Sequence, residues 1–174
     1  MPPVAVLFTG LLATSEPLLA NVRASLEADW GPIALASAAR PWTETDYYEA
    51  EMGKGLLRQF LAFERLVGVD RLASLKQRSV ALEETWKAGA KVDRPVNIDP
   101  GLLSEHSLTL ASTKRAGHRV WIGEGIWAEI TVVYRDGAFQ LLHWTYPDFR
   151  RPETLEFLAA CRRLFLPRLL TSKS

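Results

Sequence analysis

A single cysteine, Cys161, excludes an internal disulfide and any zinc site built on cysteines, and points to a reducing compartment. Charge of one sign is equally scarce: 21 Lys+Arg stand against 20 Asp+Glu over 174 residues, a formal net charge of +1. An electrostatic hold on phosphates along a nucleic acid needs clustered excess Lys/Arg, so nucleic acid is not the expected partner. Long apolar runs are missing too. No stretch reaches the ~18 residues of a membrane-spanning helix, and the opening segment lacks the basic start of a secretory leader. The expectation is a cytoplasmic protein without a membrane partner. No internal repeat, low-complexity tract or Pro/Gly/Ser-rich linker divides the chain, and its length suits a single globular domain over residues 1–174. What is present is apolar: 48% hydrophobic and 10% aromatic residues, enough to exclude disorder and to build a core.

The apolar pattern changes period along the chain. Residues 4–8 are a continuous apolar run closed by Thr9-Gly10, which suits a strand buried on both faces. Ser15 then reads as an N-cap, and Leu18, Leu19, Val22, Leu26 and Trp30 recur at helical spacing before Gly31-Pro32. Residues 33–41 read as a strand, residues 43–55 as a polar, aromatic loop with short helical potential, and residues 56–66 fit a strand or a helix. Asp70 is placed to cap a helix ending near Trp86 and Gly89, and residues 96–98 supply the next strand, ended by an Asp99-Pro100-Gly101 turn. This order is α+β, with a ferredoxin-like strand-helix-strand-strand-helix-strand start. An antiparallel, β-rich second half follows, with Asp136-Gly137 as its best hairpin signal, and Pro152 opens a C-terminal helix that Pro167 should stop.

Familiar motifs fail on their context. Gly123-Glu124-Gly125-Ile126-Trp127-Ala128 matches the dinucleotide-binding string, yet the residues that follow are β-branched and aromatic, so it reads as a tight turn between strands and not as a phosphate-holding helix start. Gly53-Lys54 lacks the rest of a P-loop. No HExxH helix or G-x-S-x-G elbow exists, and His106, His118 and His143 stand at unrelated spacings. Cys161, inside an amphipathic helix, reads as a buried, inert thiol.

Three segments place polar residues where a core needs none. The loop containing Asp46, Tyr47 and Lys54 joins carboxylates, paired tyrosines and a lysine; its alternative is a solvated connection. Asn97 and Asp99 lie at a strand end, where turn chemistry is the rival explanation. On the strand of residues 127–134, Ala128, Ile130, Val132 and Tyr134 form the core face, and Glu129 and Thr131 share the other. A Gly123–Gly125 hairpin brings His118 or Arg119 to them, with Lys114 upstream. Such a face binds an anion through charge-assisted hydrogen bonds or holds ordinary cross-strand ion pairs.

Those segments, together with Ser112-Thr113-Lys114 and Trp144-Thr145-Tyr146-Pro147-Asp148, resemble a bacterial family catalogued as domain of unknown function 4416 over essentially the whole chain. Phe149 and the Arg115-Ala116-Gly117 stretch depart from it. The resemblance implies no catalytic residue to carry over.

The function expected from the residues is binding of, or action on, a small phosphorylated or nucleotide-like anion in a cleft on the β-rich half. His118, Asp99 and Glu129 are the candidate catalytic residues, His118 as acid/base because its unperturbed pKa lies nearest neutrality. Asp46, Tyr47, Lys54, Asn97, Lys114, Arg119 and Thr131 are the candidate ligand contacts, and Asp99 and Glu129 the candidate ligands of a Mg²⁺ ion. The alternative is a non-enzymatic interaction or homo-oligomerising domain anchored by the tryptophans and the apolar C-terminal segment. A basic tail of Arg162, Arg163, Arg168 and Lys173 is too ordinary to argue for RNA.

Overall fold

The computed structural model describes residues 3–172, so Lys173 lies outside the described residues. The chain runs β1 (Val4–Ala13), α1 (Glu16–Trp30), β2 (Ile33–Ala36), β3 (Arg40–Pro41), α2 (Glu49–Met52), β4 (Leu57–Gly68), α3 (Leu72–Thr85), β5 (Val96–Leu103), β6 (Ser107–Ser112), β7 (Val120–Gly123), β8 (Ile126–Arg135), β9 (Ala138–Leu141) and α4 (Pro152–Thr171). The architecture is α+β. One nine-stranded sheet has the order β2-β4-β1-β5-β6-β8-β7, with β3 also on β4 and β9 also on β8. Every strand pairing among the described residues is antiparallel.

Strand β1 is central and covered on both sides, which is why its sequence is a continuous apolar run. Leu7 and Leu11 face α1, where Leu19, Val22, Leu26 and Trp30 complete one core with Leu75 and Leu82 of α3. Val6 and Phe8 face the opposite way, onto Leu158, Cys161, Phe165 and Leu169 of α4. Ser15 caps α1, its hydroxyl accepting from the Leu18 N–H at 3.3 Å, and Gly31 ends the helix at φ +98°.

Several sequence expectations are corrected. Thr9-Gly10 does not close β1; the strand continues to Ala13, paired with β4 and β5 through its last residue, and the Arg58 Cζ lies 3.0 Å from where a Cβ on Gly10 would be. The strand expected over residues 33–41 is two short pieces, both paired with β4. Asp70 sits inside a 3₁₀ turn, Val69–Arg71, and the N-cap of α3 is Arg71, with no side-chain cap. Asp99-Pro100-Gly101 is not a turn but the middle of β5, paired with β1 throughout. Pro167 does not stop α4. Its neighbour one turn back, Arg163, is exposed, so the carbonyl deprived of a donor lies on the solvent side, while Phe165 and Leu169 stay buried across it.

The face assignment on β8 holds for Ala128, Val132 and Tyr134, which pack against buried clusters, and fails at residues 129–131. Glu129 is 3% exposed and Thr131 fully buried, whereas Ile130 is 45% exposed. Alternation is then broken by a register shift opposite Leu108/Thr109, which returns Val132 to the α4-side core. The hairpins stand as expected: Glu124 and Gly125 join β7 to β8, and Asp136 and Gly137 join β8 to β9, all four at positive φ.

At Gly101, β5 lies directly against β6. A Cβ there would lie 2.6 Å from Leu110 Cδ2 and 2.8 Å from the Thr109 carbonyl oxygen, a backbone atom that cannot step aside. Gly101→Ala is expected to lower stability by about 1–3 kcal/mol in urea unfolding. Gly117→Ala, in open space, should stay within about 0.5 kcal/mol of the parent.

Candidate functional site

Beyond Gly101 the sheet splits. Strand β5 pairs with β6 only through Gly101, Leu102 and Leu103, so residues 96–100 keep β1 on one side and have no strand on the other. Helix α3 replaces it. The Ile98 N–H donates to Glu83 Oε1 at 2.7 Å, and the Ile98 carbonyl accepts from Lys76 Nζ at 3.1 Å. Two side chains two helical turns apart thus satisfy both backbone groups that a neighbouring strand would have paired.

The same two residues orient the polar ones on β5. Lys76 Nζ donates to Asp99 Oδ1 at 2.9 Å, and Asn97 Nδ2 donates to Asp99 Oδ2 at 2.5 Å. Arg94 donates to Glu83 Oε2 at 2.9 Å and to the Asn97 side-chain oxygen. Burial works against the Asp99 charge, but the Lys76 ammonium, the Arg58 guanidinium and these hydrogen bonds bring its carboxyl down to about 2. Glu83 lies deeper, and burial holds its pKa above the usual carboxylate value against the pull of Arg94 and Lys76.

A cavity of about 510 Å³ occupies the split, on the α4 side of the sheet. Asn97, Asp99, Lys76 and Arg94 line one wall. The floor is Gly10 with Arg58, whose guanidinium donates to Asp148 Oδ2 at 2.6 Å and lies over the Phe60 ring at 4.7 Å and the Trp42 ring at 5.5 Å. Arg58 is 5% exposed, and its Nε is buried with no hydrogen-bond partner.

The far wall is β8 and the segment after β9. On the outer side of β8 the partner strand is interrupted: β9 covers residues 132–135 and β7 covers residues 126–128. Into the gap come Trp144, donating from Nε1 to the Ile130 carbonyl, and Thr145, donating to the Thr131 carbonyl. The interruption also admits His118 and Arg119 to Glu129. Arg119 Nε donates to Glu129 Oε2 at 2.7 Å, and His118 Nε2 lies 2.9 Å from the same oxygen, with its ring stacked on Trp144. Arg119 further donates to Ser112 Oγ and the Tyr146 hydroxyl. Burial, then the charge of Glu129, and finally that of Asp99 push the Tyr146 hydroxyl up to about 12, against Arg119.

The mouth is crossed by the loop of residues 42–56. Trp42 meets Tyr48, and Tyr48 meets Tyr47, both edge to face, while Lys114 Nζ donates to the Tyr47 hydroxyl from beyond β6. Glu44 ties the loop to Arg40 and Arg151.

The expected site residues therefore divide. Asn97, Asp99, Lys114, Arg119, Glu129 and Tyr47 line one cavity. His118 reaches Glu129 but is not among the lining side chains, and Thr131 lies beneath Glu129 at 3.5 Å. Lys54 points away, its side chain 85% exposed and 4.0 Å from Glu49, and Asp46 is exposed. Asp99 and Glu129, the carboxylates expected to hold Mg²⁺, are both occupied by cationic side chains. Among the described residues no group of three or more His, Cys, Asp and Glu is placed to hold a metal ion. Cys161 is fully buried, and burial pushes its thiol up to about 12.

Arg58, Lys76, Arg94, Asp148 and Tyr146 also line the cavity and were not among the sequence candidates. Two carried a signal: Arg58 is a charge inside the apolar strand β4, and Lys76 is a charge on the buried face of α3 beside Leu72, Ala73 and Ser79.

A family model described as a domain of unknown function (DUF4416) matches residues 3–165. No curated protein and no solved structure matches the chain. No helix among the described residues is long and apolar enough to cross a membrane.

An Asp carboxyl at about 2 in the native chain and ~3.9 when unfolded contributes stability that is complete above about pH 4 and is lost as the pH falls through about 2. Lys76→Met should raise the native Asp99 value, flatten this part of the pH–stability curve, and cost about 3 kcal/mol at pH 7. Urea unfolding between pH 2 and 7, with the Asp99 carboxyl followed by ¹³C NMR, measures both.

Proposed function

The chain belongs to the DUF4416 family, and on that premise we propose that it binds a small phosphorylated or nucleotide-like anion in the cavity between β5 and β8. The observation that carries the reading is the gathering of Arg58, Lys76, Arg94, Lys114 and Arg119 on one cavity with Trp42, Tyr47, Tyr48 and Tyr146. Four of these cations are paired internally, with Asp148, Asp99, Glu83 and Glu129. Lys114 has no ion pair among the described residues and is free to meet an incoming charge. Aromatic rings supply the apolar walls that small-molecule sites combine with a few directed polar groups.

In this reading Lys114, Arg119, Asn97 and Tyr47 contact the ligand, and Glu129 and Asp99 accept its hydrogen bonds. His118 acts through Glu129, as its hydrogen-bond partner. Asp46 and Lys54 shape the loop from outside, and Thr131 supports Glu129 from below. A carboxyl at about 2 is far from the pKa of an efficient general base at neutral pH, which favours an orienting role for Asp99. Nothing in the reading is routed through Mg²⁺.

Residues 1–174 are read as one unit around one sheet. The first half is read as ferredoxin-like on the order β2-β4-β1-β5, with α1 leading from β1 to β2 and α3 from β4 to β5. A cytoplasmic setting is supported by the buried, unpaired Cys161.

A second reading, self-association, draws on the outer edge of the sheet, where Val120, Trp121 and Ile122 of β7 are exposed without a charge among them. A dimer mass in light scattering that Val120→Lys reduces to a monomer would carry it.

The primary test is a thermal-shift panel of inorganic phosphate, sugar phosphates and nucleotides. A ligand at about 100 times its Kd should raise Tm by about 5 °C or more. Lys114→Met should weaken binding about tenfold while leaving the unliganded Tm within about 2 °C. No shift with any anion overturns the reading.

A further inference from the structure

The cavity presents carboxylate oxygens as well as cations, and this limits which anions fit. Glu129 has a side chain only 1% exposed. Its Oε2 is engaged by both Arg119 and His118, but its Oε1 meets only the Thr131 hydroxyl, at 3.5 Å, the limit of a hydrogen bond. A buried carboxylate oxygen with so weak a donor is under-satisfied, and Glu129 is one of the residues that line the cavity. Asp99 faces the same cavity with one donor on each oxygen, Lys76 and Asn97, although a carboxylate oxygen accepts two.

A bare polyanion entering here would gain Lys114 but set its own acceptor oxygens against Glu129 and Asp99. A fully ionised phosphate group brings no proton to either. A ligand that carries hydroxyl groups next to its anionic group meets both demands: the charge goes to Lys114, and the hydroxyls donate to the carboxylates. The Tyr146 hydroxyl, which accepts from Arg119 and lies under the influence of both Glu129 and Asp99, keeps its own proton and adds a further polar edge between them.

We propose that the cavity selects a phosphate monoester of a polyhydroxylated carbon skeleton, a sugar or polyol phosphate, with its phosphate at Lys114 and hydroxyls donating to Glu129 Oε1 and Asp99. The inference rests on the anion-binding reading above and deepens it. Glu129 and Asp99 are then the residues that separate a hydroxylated phosphate from an unadorned one of equal charge.

The test is isothermal titration of the full chain with ribose 5-phosphate, ethyl phosphate and inorganic phosphate, each with Mg²⁺ and with EDTA. Ribose 5-phosphate should bind at least about tenfold more tightly than ethyl phosphate, the effect of hydrogen bonds to a charged, buried acceptor. Glu129→Gln should remove most of that preference, with ethyl phosphate binding at least as tightly as to the parent because it no longer faces a carboxylate, and the unfolding transition followed by circular dichroism reports that the variant is folded. Asp99→Asn gives a second variant with the same readout. Equal binding of ribose 5-phosphate and ethyl phosphate overturns this inference and leaves anion binding standing. A preference that vanishes in EDTA overturns it too, because the open oxygen would then be holding a cation. Absence of binding by all three phosphates overturns both readings.

Discussion

The hydrogen bonds from Lys76 and Glu83 to the two sides of the Ile98 peptide are the interaction on which the site depends. A sheet that parts in its middle exposes unpaired backbone groups, and a buried peptide without partners costs free energy comparable to lost hydrogen bonds. Here the partners come from a helix. Because the substitutes are charged, they satisfy the backbone and at the same time bring an ammonium and a carboxylate to the seam, where Asp99, Asn97 and Arg94 join them. Removing the strand pairing and building a polar wall are one structural event.

The opposite wall follows the same logic on a smaller scale. The outer neighbour of β8 is broken between β9 and β7, and the break is filled by side chains in place of backbone: the Trp144 indole on Ile130, the Thr145 hydroxyl on Thr131, and His118 and Arg119 on Glu129. Two interruptions of pairing, one on each side of β6, thus face each other across about 510 Å³. Arg58 completes the floor, and Gly10 is the residue of β1 that makes room for it. The buried pair of Arg58 with Asp148 joins β4 to the 3₁₀ turn that leads into α4. Removing either partner of such a pair would leave the other charge buried and uncompensated.

Much of the fold was legible. The start of β1, the capped helix α1 and both hairpins stand where the pattern put them, because each is specified by neighbours in sequence. The meeting of Arg119 with Glu129 was legible as well, since a hairpin through Gly123–Gly125 forces those two segments together, whereas the placement of Asn97 and Asp99 opposite them was not. The misses have one character. Asp99-Pro100-Gly101 has the local chemistry of a turn and is held extended by β1 across the strand. Pro167 has the local chemistry of a stop and is carried through by the burial of Phe165 and Leu169. Glu129 and Thr131 look like the wet face of β8 and are the covered one, because Arg119 and the segment after β9 close over them. Arg58 and Lys76 were not among the sequence candidates, and their partners, Asp148 and Asp99, lie 90 and 23 residues away along the chain.

The amino-acid sequence by itself determined the α+β class, the periodicity of the elements, the tight turns, the absence of disulfide and nucleotide-loop chemistry, and the set of polar residues worth examining. Those properties depend on spacing and on backbone preference, which act over a few residues. Tertiary structure alone decided that β5 leaves β6 after Gly101, that α3 takes the place of the missing strand, and that Glu129 is buried beside a cavity. Each of these depends on which distant group satisfies a backbone amide or a charge, and the free energy of that pairing is set by burial, which exists only once the chain has closed around it.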